Sequence, residues 1–433
     1  MISTDRWVLL GLAPARAPWF RQVTGWAMSA ALPIEFVKCV SIEEVRSRLG
    51  SGRPHSAVLL DAGMSGVDRD VLGLAATHGA SPIVVAGPTS PTDWATLGAA
   101  AVLDPDFTRS DLLETLQKSA PPVHDHEISE ERHAPAPVGR GQLVAVIGRP
   151  GSGVSTCAVA LAQGLADDPV FGGRVVLADL ARHADQALLH DAHDVVPGIQ
   201  ELVEAHRLGT PTAAQTRAMT FNVPSRGYDV LLGLRRPRDW IELRPAAFES
   251  ALTGLLASHL AVVADLEADL EGSEGAGSHD VEDRNIAARH TVGEADAVMV
   301  VGRPALAGVR GLVRLIDELL AHGVDPRRLL PVITHAPRRA RDRSEIASAL
   351  ADLAASDEAR TVATPIHLTE RRTLDDVHRN GTRLPAAIVA PLTAAARIAM
   401  TRGASPHIAQ TDEPALVAPG SLGLWNDDIG VDP

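Results

Sequence analysis

Residues 143–156 read Leu-Val-Ala-Val-Ile-Gly-Arg-Pro-Gly-Ser-Gly-Val-Ser-Thr. The apolar run 143–147 reads as a buried strand, Gly148, Gly151 and Gly153 as a tight loop, and a helix opens at about Val154. In that setting backbone N–H groups and a helix N-terminus can cradle phosphate oxygens. The loop pattern asks for a lysine where this chain has Val154. Its lysines are Lys38 and Lys118, both ahead of the loop, so none after it can substitute. Three outcomes stay open on the residues alone: a nucleotide hydrolysed, a nucleotide merely bound, or a loop that only keeps the fold.

Two later apolar runs end in carboxylates, 175–178 in Asp179 and 260–264 in Asp265. An acidic residue at the carboxyl end of a buried parallel strand lies where doubly wound sheets bind ligands. The bland alternative is an Asp that only caps the next helix. Further strands are expected at 174–178, 229–233, 296–301 and 329–333. A helix over 309–322 turns Val309, Leu312, Val313, Ile316, Leu319 and Leu320 to one side, and Gly323 ends it. A polar stretch at 268–285 reads as a long surface loop.

Ahead of the loop, strands are expected at 7–11, 33–37, 57–60, 83–86 and 100–103, with helices between them. One helix starts at Ser41, with Glu44 placed for a capping box. The alternation implies a second parallel α/β sheet. Pro121, Pro122, Pro135 and Pro137 among charged residues mark a linker. The expected layout is therefore 1–118, a linker over 119–141, a loop-bearing domain over 142–402, and a disordered acidic tail over 403–433.

Composition bounds the function. Hydrophobic residues make up 45% of the 433, but aromatics only 3%, so Ala, Val and Leu must build the cores. A formal charge of −14 argues against a general nucleic-acid binder, because phosphate contacts need clustered cations. Cys39 and Cys157 sit in apolar surroundings and suggest a reducing compartment. With no secretory leader pattern and no apolar run long enough to span a bilayer, a cytoplasmic protein is expected. The tail carries Asp412, Glu413, Asp427, Asp428 and Asp432, which an anionic membrane would repel, so no direct membrane anchor is expected.

The loop and the two strand-end carboxylates resemble the MinD/ParA family of deviant P-loop ATPases. The resemblance implies ATP and Mg²⁺ as ligands and a homodimer that sandwiches nucleotide. Aligned by its glycines, the chain puts Arg149 at the family's signature lysine, Pro150 at its first glycine and Val154 at its core lysine. Gly148, Arg149, Gly151, Ser152, Gly153, Val154, Ser155 and Thr156 then form the cofactor loop, with Ser155 on the Mg²⁺-ligating hydroxyl. Asp179 matches the first Asp of the catalytic pair, Ala181 replaces the second, and Asp265 matches the carboxylate that supports Mg²⁺. Thr334 falls where the family faces adenine with Asn. The losses at Val154 and Ala181 weaken phosphoryl transfer, leaving Arg149 as the cation a slow ATPase would have to use.

The first domain resembles a flavodoxin-like receiver of response regulators, with Asp61 at the phosphoacceptor position. Its expected acidic pair reads Leu12 and Ala13, its hydroxyl position Gly87, and its lysine position Asp104 and Pro105, so a pseudo-receiver is expected. Together the two domains are similar to the TadZ/CpaE pilus-assembly proteins and to actinobacterial septum-site-determining proteins. That resemblance implies a cytoplasmic spatial regulator or scaffold, recruited to pole or septum by protein partners. The rival readings are a slow dimer-dependent ATPase using Arg149 and a phosphorylation-responsive protein acting through Asp61.

Lesser signals are read blandly. His183, Asp185, His190, Asp191, His193 and Asp194 lack metal-ligand spacing and read as a solvated segment. Arg338, Arg339, Arg341 and Arg343 read as a solvated basic loop. The run 384–400 reads as a last packed helix.

Overall fold

Apolar β-branched runs alternate with helices that are apolar on one side, and the chain resolves them into two parallel sheets. A computed structural model describes residues 6–403, except 15, 30, 51–52, 121, 123–139, 193–194, 273–278, 354–358, 360 and 372–373. The expected tail and most of the expected linker, with His124, His126, His133 and Trp425, lie outside the described residues.

The first sheet contains β1 (Trp7–Leu12), β2 (Ile34–Cys39), β3 (Ala57–Asp61), β4 (Ser81–Val85) and β5 (Ala101–Leu103). All pairings are parallel, in the doubly wound order β2-β1-β3-β4-β5. Helices α1 (Pro18–Met28), α2 (Ile42–Leu49) and α3 (Arg69–Thr77) fill the first three crossovers, the β4–β5 connection holds no helix, and α4 (Arg109–Ser119) follows β5. Trp19, Phe20 and Val23 of α1 join Leu112 and Leu116 of α4 on one face, and α2 and α3 cover the other. Ser41 caps α2 by accepting from the Glu44 N–H, while the Glu44 carboxylate takes the Val40 N–H at 2.8 Å.

The second sheet contains β6 (Gln142–Gly148), β7 (Val175–Asp179), β8 (Phe221–Val223), β9 (Tyr228–Leu231), β10 (Ala261–Glu267), β11 (Ala297–Gly302), β12 (Leu329–Ala336) and β13 (Ile366–Thr369). Its order is β13-β12-β11-β6-β10-β7-β9-β8, parallel throughout except for the β8–β9 hairpin. The helices are α5 (Val154–Ala166), α6 (Gln186–Leu189), α7 (Ile199–Leu208), α8 (Ala213–Arg217) and α9 (Pro245–Ser258). They continue with α10 (His279–Arg284), α11 (Ile286–Glu294), α12 (Leu306–Ala321), α13 (Ala340–Leu353), α14 (Leu374–Arg379) and α15 (Ala386–Gly403). Helices α7, α9, α11 and α12 pack on one face, and α5 with α15 on the other. The expected last packed helix is thus α15. Among the described residues no helix is long and apolar enough to cross a membrane.

One expectation fails. The stretch 268–285 is not a plain surface loop: Leu270 is buried in the core, α10 begins at His279, and Asn285 is 3% exposed with its amide donating to Asp269 Oδ1 and to the Glu271 carbonyl. The polar residues mislead because their side chains satisfy one another and nearby backbone rather than water.

Three successive residues of α3 and its cap join the two sheets' layers. Asp68 pairs with Arg207 of α7 at 2.8 Å, and Arg69 donates to the carbonyls of His206 and Gly209 at the end of α7. Asp70 Oδ1 accepts from the Ala246 and Ala247 N–H groups in the first turn of α9. A guanidinium thus meets a helix C-terminus and a carboxylate a helix N-terminus, each complementing the local dipole. Burial pushes the Asp70 carboxyl up to about 6.

Candidate functional site

The loop after β6 forms as its glycines require. Gly148 pairs with Val301, and a Cβ there would lie 2.5 Å from the Val301 carbonyl and 2.9 Å from Ser152 Oγ and Val154 Cγ2. Gly153 precedes α5 at φ +92°, a left-handed conformation open to glycine, and Gly151 has φ +77°. The Ser152 N–H closes the turn onto the Arg149 carbonyl at 3.1 Å. Thr334, at the end of β12, donates its hydroxyl to the Ser152 carbonyl at 2.6 Å and contacts the Gly302 carbonyl at 3.2 Å. The expected base-facing residue therefore also ties the loop to the neighbouring strands.

Val154 does not reach for a ligand. It is 9% exposed and belongs to the apolar cluster under α5, with Cys157, Ala158 and Leu161. Arg149 leaves the loop in the other direction. A Cβ on Gly311 of α12 would lie 2.9 Å from Arg149 Cδ and 3.4 Å from its Nη1. The side chain thus lies along α12, where it lines a cavity of about 640 Å³ with Asp269, Glu271, Glu282, Arg314 and Glu318.

The two strand-end carboxylates do meet. Asp265 stands opposite Asp179 in the β10–β7 ladder, and both are at most 2% exposed. Asp179 accepts backbone N–H groups from Gln186 at 2.9 Å and Ala181 at 3.4 Å. Desolvation, then the neighbouring Asp265, holds the Asp179 carboxyl well above the usual range. Desolvation pushes Asp265 up to about 6, against hydrogen bonds from Gln186 and Ser155 that favour its charge.

Gln186 is the residue that sequence reasoning missed. Its side chain is fully buried, and Nε2 donates to Asp265 Oδ2 at 2.7 Å and contacts the Ser155 carbonyl at 3.4 Å. The amide therefore engages the carboxylate expected to support Mg²⁺, which the Ser155 side chain also reaches. A phosphate in the loop would face two buried carboxyls, with Val154 in place of a cation.

Beside the loop, a cavity of about 400 Å³ is lined by Gly153, Thr156, Thr334, His335, Arg371 and His378. Thr156 Oγ1 lies 3.3 Å from His378 Nε2. Gly148, Gly151, Ser152, Gly153 and Ser155 shape the loop, while Thr156 and Thr334 face this neighbouring cavity. Ser152 Oγ is buried without a hydrogen-bond partner.

The first sheet's candidate, Asp61, is half-buried. Asp61 Oδ2 accepts from the Trp19 indole at 2.8 Å and Oδ1 from the Gly63 N–H at 2.9 Å. Trp19 is 1% exposed, so the carboxylate's inner side is covered by an aromatic side chain. In the His/Asp segment His183, Asp185 and Asp191 are exposed as expected, and among its described residues His190 is the exception. His190 donates from Nδ1 to the Gln186 carbonyl, and its Nε2 lies 2.8 Å from the Tyr228 hydroxyl. It belongs to a half-buried network rather than to solvent, and burial lowers it to about 4. Among the described residues no group of His, Cys, Asp and Glu is arranged to hold a metal ion.

No protein-family model matches the chain, and no curated protein matches it. Solved structures similar to it are ParA/MinD family ATPases. A ParA family ATPase from Chlorobium tepidum is 14% identical, covering 60% of this chain and 98% of its own, with a TM-score of 0.43. The cell division ATPase MinD of Pyrococcus furiosus is 16% identical, covering 60% and 98%, at 0.42. The septum site-determining protein MinD of Pyrococcus horikoshii, complexed with Mg-ADP, is 15% identical, covering 61% and 94%, at 0.41.

Proposed function

We propose that this chain is a spatial regulator or scaffold of the MinD/CpaE type that has kept a phosphate-loop fold and given up Mg-nucleotide chemistry. The observation that carries the reading is Val154, packed into the core where the loop pattern asks for a lysine, while Gln186 donates to Asp265. Catalysis of phosphoryl transfer rests on positioned cations and a metal. Here the lysine position holds an aliphatic side chain, and the carboxylate expected to support the metal accepts from the Gln186 amide.

In this reading residues 1–118 are a receiver-like binding module. Asp61 accepts from Trp19 and has Leu12, Ala13, Gly87 and Asp104 where a phosphoacceptor's partners would stand, so the module acts through its surface. Residues 142–402 are the MinD-like domain, which pairs with a second copy. Protein partners of a septum or pilus machine recruit the cytoplasmic protein to its place. The −14 charge supports protein rather than nucleic-acid partners.

Turnover tests the chemical half of this reading. Phosphate release from Mg-ATP by the full chain is expected to equal the buffer rate and to be unchanged in Asp265→Ala and Arg149→Ala. Turnover above buffer that falls in either variant would replace the scaffold with an ATPase using Arg149.

A further inference from the structure

Helix α13 is only half covered. It carries Ile346, Ala347, Leu350 and Leu353 at helical spacing, yet none of its fourteen residues is buried, and Leu353 is 43% exposed. Ile346 and Leu350 are partly buried against the core. A helix of this length draws most of its stability from burying such a face. Between α13 and α12 lies a groove of about 170 Å³, lined by Val313, Ile316, Pro331, Ala347, Leu350 and Val362. No charged side chain lines it.

Cations gather at one end of this groove. Helices α12 and α13 each lead from one parallel strand to the next, so their first turns lie at the same end. Arg343 precedes Ala347 and Leu350 by four and seven residues and continues their row toward the start of α13. Its charge is felt at His367 of β13, two residues beyond Pro365 in the groove wall. Arg310 precedes Val313 by three residues on α12, and Arg338 and Arg339 stand just ahead of α13. Among the described residues none of Arg310, Arg338, Arg339 and Arg343 pairs with a carboxylate, and Arg343 Nη2 reaches only the Arg338 carbonyl at 3.4 Å. The acids at this end are Asp342 and Glu345, and Glu345 is taken by Arg341 at 3.1 Å. Cations at the start of a helix oppose its dipole, so carboxylates from outside would relieve the cluster.

An apolar bed with cations at one end asks for an extended segment whose apolar anchors run into carboxylates. The chain contains one. Residues 422–432 read Leu-Gly-Leu-Trp-Asn-Asp-Asp-Ile-Gly-Val-Asp, and no Lys or Arg follows Arg402. Helix α15 ends at Gly403. The stretch 404–421 can span up to about 60 Å when extended, against about 50 Å for the width of a domain of this size. Tethering sets an effective concentration on the order of 1 mM, so even a weak contact is filled.

We propose that residues 422–432 of this chain dock in cis on the groove between α12 and α13. Leu424 and Trp425 enter the apolar bed, and Asp427 and Asp428 face the arginines at its end. Docking covers α13 and supplies the carboxylates that its arginines lack. It involves neither the glycine loop nor a nucleotide.

Acrylamide quenching of the full chain tests this, because the difference between wild type and Trp425→Phe isolates one tryptophan among six. Trp425 is expected to be quenched several-fold less than free tryptophan. In the double variant Arg339→Glu with Arg343→Glu, and separately in Leu350→Asp, its quenching is expected to rise to the free value. Each variant is read against the same variant carrying Trp425→Phe. Arg21→Glu, at an exposed arginine of α1, is expected to leave Trp425 protected. Arg339 is exposed and Arg343 half-buried, so that pair decides the matter if Leu350→Asp does not fold. Protection that fades on dilution would put the tail of a second copy in the groove and overturn docking within one chain. Free-tryptophan quenching in the wild type, or protection that survives the arginine pair, would overturn the proposal and leave the groove to another partner.

Discussion

Replacing Asp265 by asparagine is expected to stabilise the protein at pH 8, by on the order of 2 kcal/mol. Asp265 and Asp179 are adjacent, buried and without a cation, so charging them opposes folding. The Asp265 carboxyl is pushed up to about 6, first by desolvation and also by Asp185 and Glu267. An acid whose folded value lies above its unfolded one favours the fold while protonated. That contribution is complete below about pH 4 and is lost as pH rises through about 6. Asparagine keeps an acceptor for Gln186 Nε2 and removes the charge. The gain in urea midpoint should therefore be large at pH 8 and small at pH 4.5. A variant less stable than wild type at pH 8 would show that a cation, and hence a working metal position, balances Asp265 in solution.

The largest loss is expected at Gly164→Leu. Gly164 lies in α5 against α15, where an added Cβ would overlap the Thr393 hydroxyl and lie 2.8 Å from Val389 Cγ1. Neither helix has room to move, because α5 is buried along most of its length between the sheet and α15. Overpacking of this kind costs about 3 kcal/mol, or roughly 6–12 °C in Tm. Gly293→Ala is the matched control: a Cβ there meets nothing within 4 Å, and alanine in place of a helical glycine stabilises by up to about 1 kcal/mol. Equal melting temperatures for Gly164→Leu and wild type would mean that α15 does not hold α5 as described.

The parts of the fold legible in the sequence are those fixed by local pattern. Strand β6, the glycine turn and the start of α5 follow from apolar residues running into glycines at set spacing. Asp179 was readable as a strand-end residue, whereas β10 runs on past Asp265 to Glu267, and the pairing of the two in one ladder depends on β10 inserting between β6 and β7. Strands β8 and β13 escaped because three or four residues, mixed with Asn222 and His367, give no clear period.

The deciding residues of the site were hidden for another reason. Gln186 and Trp19 act across 31 to 79 residues of chain, at Ser155, Asp265 and Asp61. A glutamine or tryptophan has no motif that announces such a partner. The missing lysine at Val154 was visible in the sequence; what fills the space near it was not.

The most direct test of the central claim is calorimetric titration of the full chain with ATP in Mg²⁺. With Val154 in the core at the lysine position and Gln186 bonded to Asp265, the account predicts no Mg²⁺-dependent heat of binding. Saturable binding that requires Mg²⁺ and disappears in Gly153→Val would contradict it.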